Sequence, residues 1–261
     1  MAIKKTFNNK KMASLIKELK TSTRITPKVN TRILDSMSNS TRISFWSASK
    51  IFPVLPSNIA TKTSFSAEFS KAWSEMFFNL AHWEDSHFEL TLPRLDRVLI
   101  VGWHFPELPL LFNFALKTKI LLLISQDALW LNRLKTAGCT LNFRTVVGQR
   151  ALVTQMSKGR NIGTMMDHVH PETKTFDVPL FSRLARTPSG IFDLCRANNY
   201  ILAFIAPRGE QVKIIHTLES NGHTSTELAT KVNEWLEEEV KKAPERWLMW
   251  QALNFRLRRT V

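Results

Sequence analysis

Short apolar runs alternate with amphipathic segments from residue 97 onward, and this alternation limits the possible folds more than any other feature. Runs rich in Val, Ile and Leu are too short for buried helices and suit strands covered on both faces; they lie at 97–101, 119–124, 140–143, 161–166, 200–206 and 212–216. Segments with the apolar spacing of helices lie between and after them, at 108–116, 127–134, 149–156, 191–197 and 226–242. The sequence therefore predicts an α/β fold with a central, mostly parallel or mixed sheet and helices on both faces.

The first of these predicted strands ends at Gly102 and is followed by Trp103, His104 and Glu107. Ligands of α/β proteins bind at the carboxyl ends of the strands, so a histidine there is well placed to act as a general base. A neighbouring glycine would let a substrate approach the backbone. Taken alone, His104 could equally be a surface histidine in a loop.

The chain carries 36 Lys and Arg against 22 Asp and Glu, a net charge of +14. Such an excess predicts a polyanionic partner, which could be nucleic acid, an anionic membrane surface or an acidic carrier protein. Most of the excess lies in a basic N-terminal region at 1–65, which precedes a predicted α/β domain at 66–261. Apolar residues at 12–19 and 43–55 suit either a membrane-surface segment or an arm that packs on the domain.

Several other classes of site are not predicted. The two cysteines, Cys139 and Cys195, lack CxxC spacing, so neither a disulfide scaffold nor a zinc knuckle is expected. His168, His170 and Glu172 could bind a metal, but this short spacing is common in ordinary loops and we predict no metal. The sequence contains no uninterrupted run of about 18 apolar residues, so we predict no membrane-spanning helix.

Five segments, in this order and at matching separations, resemble motifs of the late acyltransferases of lipid A biosynthesis, part of the lysophospholipid acyltransferase superfamily. The resemblance runs from about Arg97 to Arg259. Gly102–Phe105 matches the family's Gly-x-His-Phe motif, and Met166–His168 is similar to its Pro-Asp-Gln/His motif. Val178–Ser182, followed by Thr187–Gly190, is similar to Val-Pro-Phe-Phe-Gly. Ala203–Arg208 is similar to Val-Pro-x-x-x-Arg, and Ala243–Trp250 is similar to Ala-Pro-Glu-Gln-Tyr-Met-Trp.

The resemblance implies a peripheral enzyme at the cytoplasmic face of the inner membrane of a Gram-negative bacterium. Its donor would be the thioester of an acidic acyl carrier protein, with no further cofactor, and its acceptor an anionic lipid A-type glycolipid. His104 would deprotonate the acceptor. The residues expected to shape the site or to bind phosphate and carrier groups are Gly102, Trp103, Asp167, Arg183, Arg186 and Arg208.

The chain departs from the family at the acid that orients the catalytic histidine. The family places this acid five residues after the histidine, where this chain has Pro109. Glu107 is the nearest acid, and we predict that it orients His104 instead. The family's N-terminal membrane helix is also replaced by the basic region at 1–65.

Three alternatives stay open at this point. The donor could be a fatty acyl or an aminoacyl carrier, since a glycyl-transferring branch of the superfamily also modifies lipid A. Loss of the acid at 109 would also suit a non-catalytic descendant that binds lipid or a carrier protein. Nucleic-acid binding rests on charge alone, with no recognisable reader element, and we do not predict it.

Overall fold

The structure, a computed structural model, describes residues 9–21, 48, 51, 60–88, 90–125, 131–170, 173–209 and 211–257. Its strands are β1 Val98–Gly102, β2 Leu121–Ile124, β3 Thr140–Asn142, β4 Ile162–Met165, β5 Thr175–Leu180, β6 Arg183–Pro188, β7 Ile201–Arg208 and β8 Gln211–Glu219. Its helices are α1 Asn9–Lys20, α2 Lys62–His82, α3 Leu111–Thr118, α4 Asn132–Thr136, α5 Val146–Ser157, α6 Gly190–Ala197, α7 Ser225–Lys242 and α8 Trp250–Arg256.

Six of the strands form one sheet in the order β3-β2-β4-β1-β7-β8. Only the β7–β8 pairing is antiparallel, so the sheet is mixed and mostly parallel. Right-handed crossovers, the rule for parallel connections, put α3 and α4 on one face and α5 and α6 on the other. The predicted α/β fold is confirmed.

The centre of the sheet is β1, and all five of its residues are buried. It pairs in parallel with β4 on one side and with β7 on the other. The connection after β1 runs to one side of the sheet and the connection after β4 runs to the other. The carboxyl ends of β1 and β4 therefore flank a topological switch point, where open α/β sheets bind their ligands.

Two predicted features differ in the structure. Ser66 precedes a run of helically spaced apolar residues, so the sequence predicts it as a helix cap. The N-cap of α2 is instead Thr61, which exchanges capping hydrogen bonds with Ser64. The segment at 175–190 has two arginines and several hydroxyls before a predicted helix, so the sequence suits a phosphate-binding loop. In the structure it is largely an antiparallel hairpin, β5–β6. The alternating exposure of β6 is the pattern of a half-buried strand, and sequence reasoning missed it.

The apolar spacing at 12–19 predicts a short amphipathic helix, and the structure has helix α1 there. Its apolar residues Leu15, Ile16 and Leu19 are buried in the main core, and α1 packs against α2. Helix α1 therefore packs on the domain as an arm, because its apolar face is covered by protein and is not exposed to a membrane surface. The second predicted segment, 43–55, lies almost entirely outside the described residues.

Helix α2 supports the turn that follows β1. The side-chain amide of Asn79 donates to the backbone carbonyl of Pro106 at 2.9 Å.

Within the described ranges, none of the helices is long and apolar enough to cross a membrane.

Replacing Gly148 by Ala is expected to lower the melting temperature by about 3–10 °C, because a Cβ at this position would lie 1.8 Å from the carbonyl oxygen of Asn142. Gly190→Ala is the matched control, since a Cβ there meets no atom within 4 Å. Thermal unfolding of the two variants followed by circular dichroism tests this. Equal melting temperatures would show that the start of α5 moves freely enough to absorb the methyl group.

Candidate active site

His104 and Asp167 form the centre of the site. Each lies two residues beyond the end of its strand, and the register of β1 with β4 places Gly102 opposite Met165, so the two residues come level. The Nδ1 atom of His104 lies 2.7 Å from Oδ1 of Asp167, and the backbone N–H of His104 donates to Oδ2 at 2.8 Å. The carboxylate of Asp167 therefore holds both the ring and the backbone of the histidine.

The C-terminal part of the chain holds this pair from the opposite side. The indole N–H of Trp247 donates to Oδ2 of Asp167 at 2.8 Å. The backbone N–H of Leu248 donates to the carbonyl oxygen of His104 at 3.1 Å. Asp167 is fully buried, and with these donors its carboxylate accepts three hydrogen bonds.

The two side chains shift each other's pKa. Burial alone would lower the pKa of His104, but the charge and hydrogen bond of Asp167 raise it above the ordinary 6.5. Burial would likewise raise the pKa of Asp167, yet the interactions with His104 and Trp247 hold it below its usual range. An ionised Asp167 keeps the proton of a neutral His104 on Nδ1 and leaves the lone pair on Nε2, as a general base requires.

Three cavities surround the pair. An apolar cavity of about 230 Å³ lies under α3 and contains His104, with a lining that includes Ile100, Leu111, Phe114 and Leu122. A second cavity of about 500 Å³ lies between α5 and α6 and shares His168 and His170, among other residues, with the first. A cleft of about 850 Å³ lies on the other side of the turn, against α2 and the end of β7.

Residues 140–255 match the model of the bacterial lipid A biosynthesis acyltransferase family, a range that includes Asp167 and Trp247. These residues make up less than half of the chain, which is an acyltransferase similar to this family. The crystal structure of the 1-acyl-sn-glycerophosphate (LPA) acyltransferase PlsC from Thermotoga maritima is also similar, with 14% identity, a TM-score of 0.42, and coverage of 84% of this chain and 96% of that chain. No curated protein matches the chain.

Glu107 does not occupy the orienting position that we predicted for it in this acyltransferase. Its carboxylate forms an ion pair with Arg246, which also contacts Glu75 at 3.1 Å. The turn from Phe105 continues into a 3-10 helix at Leu108–Leu110, with Glu107 as its N-cap residue. The acid that holds the imidazole is Asp167, which lies 63 residues after His104 in the chain.

Arg208 was expected to shape the site or to bind phosphate and carrier groups. It lines the cleft, but its guanidinium forms two hydrogen bonds with Glu239, at 2.8 and 2.9 Å. These bonds raise the pKa of Arg208 and hold the pKa of Glu239 below its usual range, although burial alone would raise the latter. The ion pair occupies the face of the guanidinium that a phosphate would use.

Arg183 and Arg186 both lie on strand β6 of the hairpin, where Arg183 is exposed and Arg186 is half-buried. The described lining of the cavity that contains His104 includes neither of them.

Arg256 holds the hairpin β5–β6 in place. It is fully buried, and its guanidinium donates to Thr187 on the hairpin and to Asn233. Burial lowers the pKa of Arg256 to about 10, and the nearby charge of Asp167 opposes this shift.

Gly102 and Trp103 were expected to lie open to the substrate, but both are packed against protein atoms. A Cβ on Gly102 would meet the side chains of Met165 and Ile205, so the glycine makes room for protein atoms. Trp103 is only 1% exposed, and its indole nitrogen is buried in the wall of the cleft.

The His168 and His170 pair lies beside the catalytic residues. Their rings are 4.7 Å apart, and burial together with the neighbouring histidines lowers the pKa of His168 to about 4. Glu172 lies outside the described residues. In the part of the chain that the structure describes, no group of three His, Cys, Asp or Glu side chains is placed to hold a metal ion.

Sequence reasoning paired His104 with Glu107 and kept Asp167 only as one of three further acids, with Glu84 and Asp85, that could orient it. It gave no role to Trp247. The available signal was positional, because both His104 and Asp167 follow predicted strands at the same short distance. Trp247 carried a weaker signal, as a member of the C-terminal segment that resembles the family.

Proposed function

We propose that this acyltransferase moves a fatty acyl group from the thioester of an acidic carrier protein to a hydroxyl of a lipid A-type glycolipid, at the cytoplasmic face of the bacterial inner membrane. The observation that carries the proposal is the 2.7 Å pair of His104 and Asp167 at the mouth of an apolar cavity. A histidine oriented by a buried carboxylate is suited to take a proton from a hydroxyl.

The reaction follows from this geometry. Nε2 of His104 removes the proton of the acceptor hydroxyl while its oxygen attacks the thioester carbonyl. The new C–O bond forms, the C–S bond breaks, and the departing thiolate takes the proton back from the imidazolium. Asp167 stabilises the imidazolium between these two proton transfers.

The apolar cavity favours a fatty acyl donor over a glycyl donor. Its lining is dominated by Leu, Ile and Phe side chains, against which the methylenes of an acyl chain gain favourable burial. A glycyl group would bring an ammonium into the same space, where a charge without a partner is costly. We therefore propose a fatty acyl donor and not a glycyl donor.

The second cavity supports a carrier-bound donor. It shares His168 and His170 with the acyl cavity and is also lined by Arg144 and Lys174. A carrier arm that bears a phosphate ester would meet these cations on its way to His104. The positive net charge of +14 would also attract an acidic carrier.

Helix α5 supports contact with a membrane surface. Val146, Val147 and Val153 are exposed large apolar side chains on this helix, and the exposed residues Arg144 and Arg150 lie beside them in the chain. Apolar side chains among cations are suited to the interface of an anionic membrane. The helix also borders the second cavity, so a membrane-bound glycolipid would reach the site over a short path.

The non-catalytic alternative loses its main support. It was suggested by Pro109, which stands where the family has its acid. Asp167 supplies a carboxylate to His104 from another strand, so a proline at 109 is compatible with catalysis.

The proposed function is tested with purified protein, lipid A-type acceptor, and carrier protein loaded with either a fatty acyl or a glycyl group. We expect the mass of the acceptor to rise by one fatty acyl group, with no transfer by His104→Ala. His87→Ala is the matched histidine control, because His87 is not in the described lining of the three cavities around the dyad. Glycyl transfer in place of fatty acyl transfer would overturn the donor assignment, and transfer by neither carrier would overturn the proposed reaction.

A further inference from the structure

The cavity of about 230 Å³ that contains His104 and the cavity of about 500 Å³ between α5 and α6 share part of their walls. The described residues that line both are Leu123, Phe143, Thr164, Met165, His168 and His170. We call this shared wall the junction. In the proposed reaction a thioester joins the acyl chain in the first cavity to the carrier arm in the second, so its carbonyl group lies at the junction.

The carbonyl oxygen of the thioester needs a hydrogen-bond donor. It becomes an oxyanion when the acceptor hydroxyl attacks, and an anion in an apolar cavity is costly unless a donor faces it. The described lining of the cavity that contains His104 includes no Lys or Arg side chain. The polar side chains at the junction belong to Thr164, His168 and His170, so a side-chain donor has to come from these three.

Of these three residues, His168 is the best placed. It follows Asp167 directly and lies beyond the end of β4, as His104 lies beyond the end of β1. Thr164 lies within β4, before the edge of the sheet, and is 8% exposed. The Nε2 atom of His170 is buried, so it does not reach a bound molecule.

The two nitrogen atoms of the His168 ring have different surroundings. Nδ1 is buried and has no hydrogen-bond partner among the described residues, whereas Nε2 is not buried in this way. A buried N–H group without an acceptor is rarer in folded proteins than a buried acceptor without a donor. The neutral ring therefore carries its proton on Nε2, the nitrogen that a molecule in the cavities can reach.

The groups around His168 keep its ring neutral. Burial lowers its pKa to about 4, and the charges that His104, His170 and Arg256 can carry act in the same direction, against the charge of Asp167. Because the pKa of His104 is raised above 6.5, His168 stays an uncharged donor over the whole pH range in which His104 acts as a base.

We propose that His168 is a further catalytic residue, whose Nε2–H group donates a hydrogen bond to the carbonyl oxygen of the thioester and stabilises the oxyanion that forms there. The proposal rests on the proposed function, which supplies the thioester. His168 transfers no proton in this step. His104 takes and returns the proton of the acceptor, and His168 keeps its own while the C–O bond forms and the C–S bond breaks.

His168→Phe, which keeps an aromatic ring but removes the donor, should lower kcat by about 10²- to 10³-fold with little change in KM. His168→Gln can present an amide N–H group and should recover part of this loss. The midpoint of the rise in rate with pH should stay the same in His168→Phe, because an uncharged side chain is lost. A residue that acted only by positioning Asp167 would move this midpoint.

His216→Phe is the matched control. It makes the same substitution at an exposed position on β8, outside the described lining of the three cavities around the dyad. We expect its kcat and KM to equal those of the unchanged protein.

Long-range ¹H–¹⁵N NMR of the full chain with labelled histidines gives a readout that needs no acyl transfer. At pH 7 we expect a neutral His168 ring with its proton on Nε2. A charged ring, or a proton on Nδ1, would overturn the proposal. So would a folded His168→Phe that keeps the kcat of the unchanged protein, or a Thr164→Val that loses the rate in its place. Failure of the unchanged protein to transfer from either carrier would instead overturn the proposed function, and the NMR result would still distinguish an Nε2–H donor from a charged ring.

Discussion

Replacing Asp167 by Asn is expected to lower kcat for acyl transfer by about 10²- to 10⁴-fold, with little change in KM for the acceptor. The amide keeps the size of the side chain but carries no charge, so it cannot stabilise the imidazolium that forms on His104. It can also present an N–H group to Nδ1, which would favour the wrong tautomer of the ring. Steady-state kinetics with a fatty acyl carrier measures both parameters.

The pH profile of the same variant gives a second readout. In the unchanged protein the pKa of His104 is raised above 6.5, so the rate should increase with pH as the base loses its proton through that raised pKa. Loss of the Asp167 charge removes the interaction that raises this pKa. The rise in rate should therefore move to lower pH in Asp167→Asn, although the maximum rate is lower.

Glu107→Gln is the matched control for Asp167→Asn, because it makes the same acid-to-amide change on the other side of His104. Since Glu107 pairs with Arg246 and not with His104, we expect its kcat to stay within a few-fold of the unchanged protein. A large loss of kcat in Glu107→Gln with normal turnover in Asp167→Asn would contradict the assignment of the dyad.

Replacing Trp247 by Phe is expected to lower kcat by about 10- to 100-fold. The variant keeps an aromatic ring in the cluster but removes the N–H that donates to Oδ2 of Asp167. A hydrogen bond to a charged group contributes about 1.5–3 kcal/mol, and each 1.4 kcal/mol corresponds to a factor of ten in rate. Without this donor the pKa of Asp167 rises, and its carboxylate is held less firmly in the position that orients His104.

Trp250→Phe separates this positioning role from packing. Both indoles are fully buried and their rings contact each other at 4.6 Å between centroids, but Trp250 donates to the carbonyl of Pro244. The two variants should lose similar stability, while only Trp247→Phe should lower kcat by this amount. An equal loss of kcat in both would mean that the cluster acts through packing and not through the bond to Asp167.

Much of the fold follows from local pattern. The predicted strands of the sheet all form, because short apolar runs of four to seven residues have few other ways to satisfy both their backbone and their side chains. The hairpin β5–β6 was missed because Pro179 and several polar residues interrupt its apolar alternation. The cap of α2 was missed because Ser66 and Thr61 are both acceptable caps, and only the hydrogen bonds distinguish them.

By itself, the sequence determined the sheet, the position of His104 at a strand end and the resemblance to the acyltransferase family, since each depends on residues that are close together in the chain. Only the tertiary structure decided which acid serves His104. The nearest acid in sequence, Glu107, turns toward Arg246, while the parallel register of β1 and β4 brings Asp167 level with the histidine. Trp247 then reaches Asp167 from the C-terminal segment. Hydrogen bonding acts over about 3 Å in space, and separation along the chain does not limit it once the sheet has set the register.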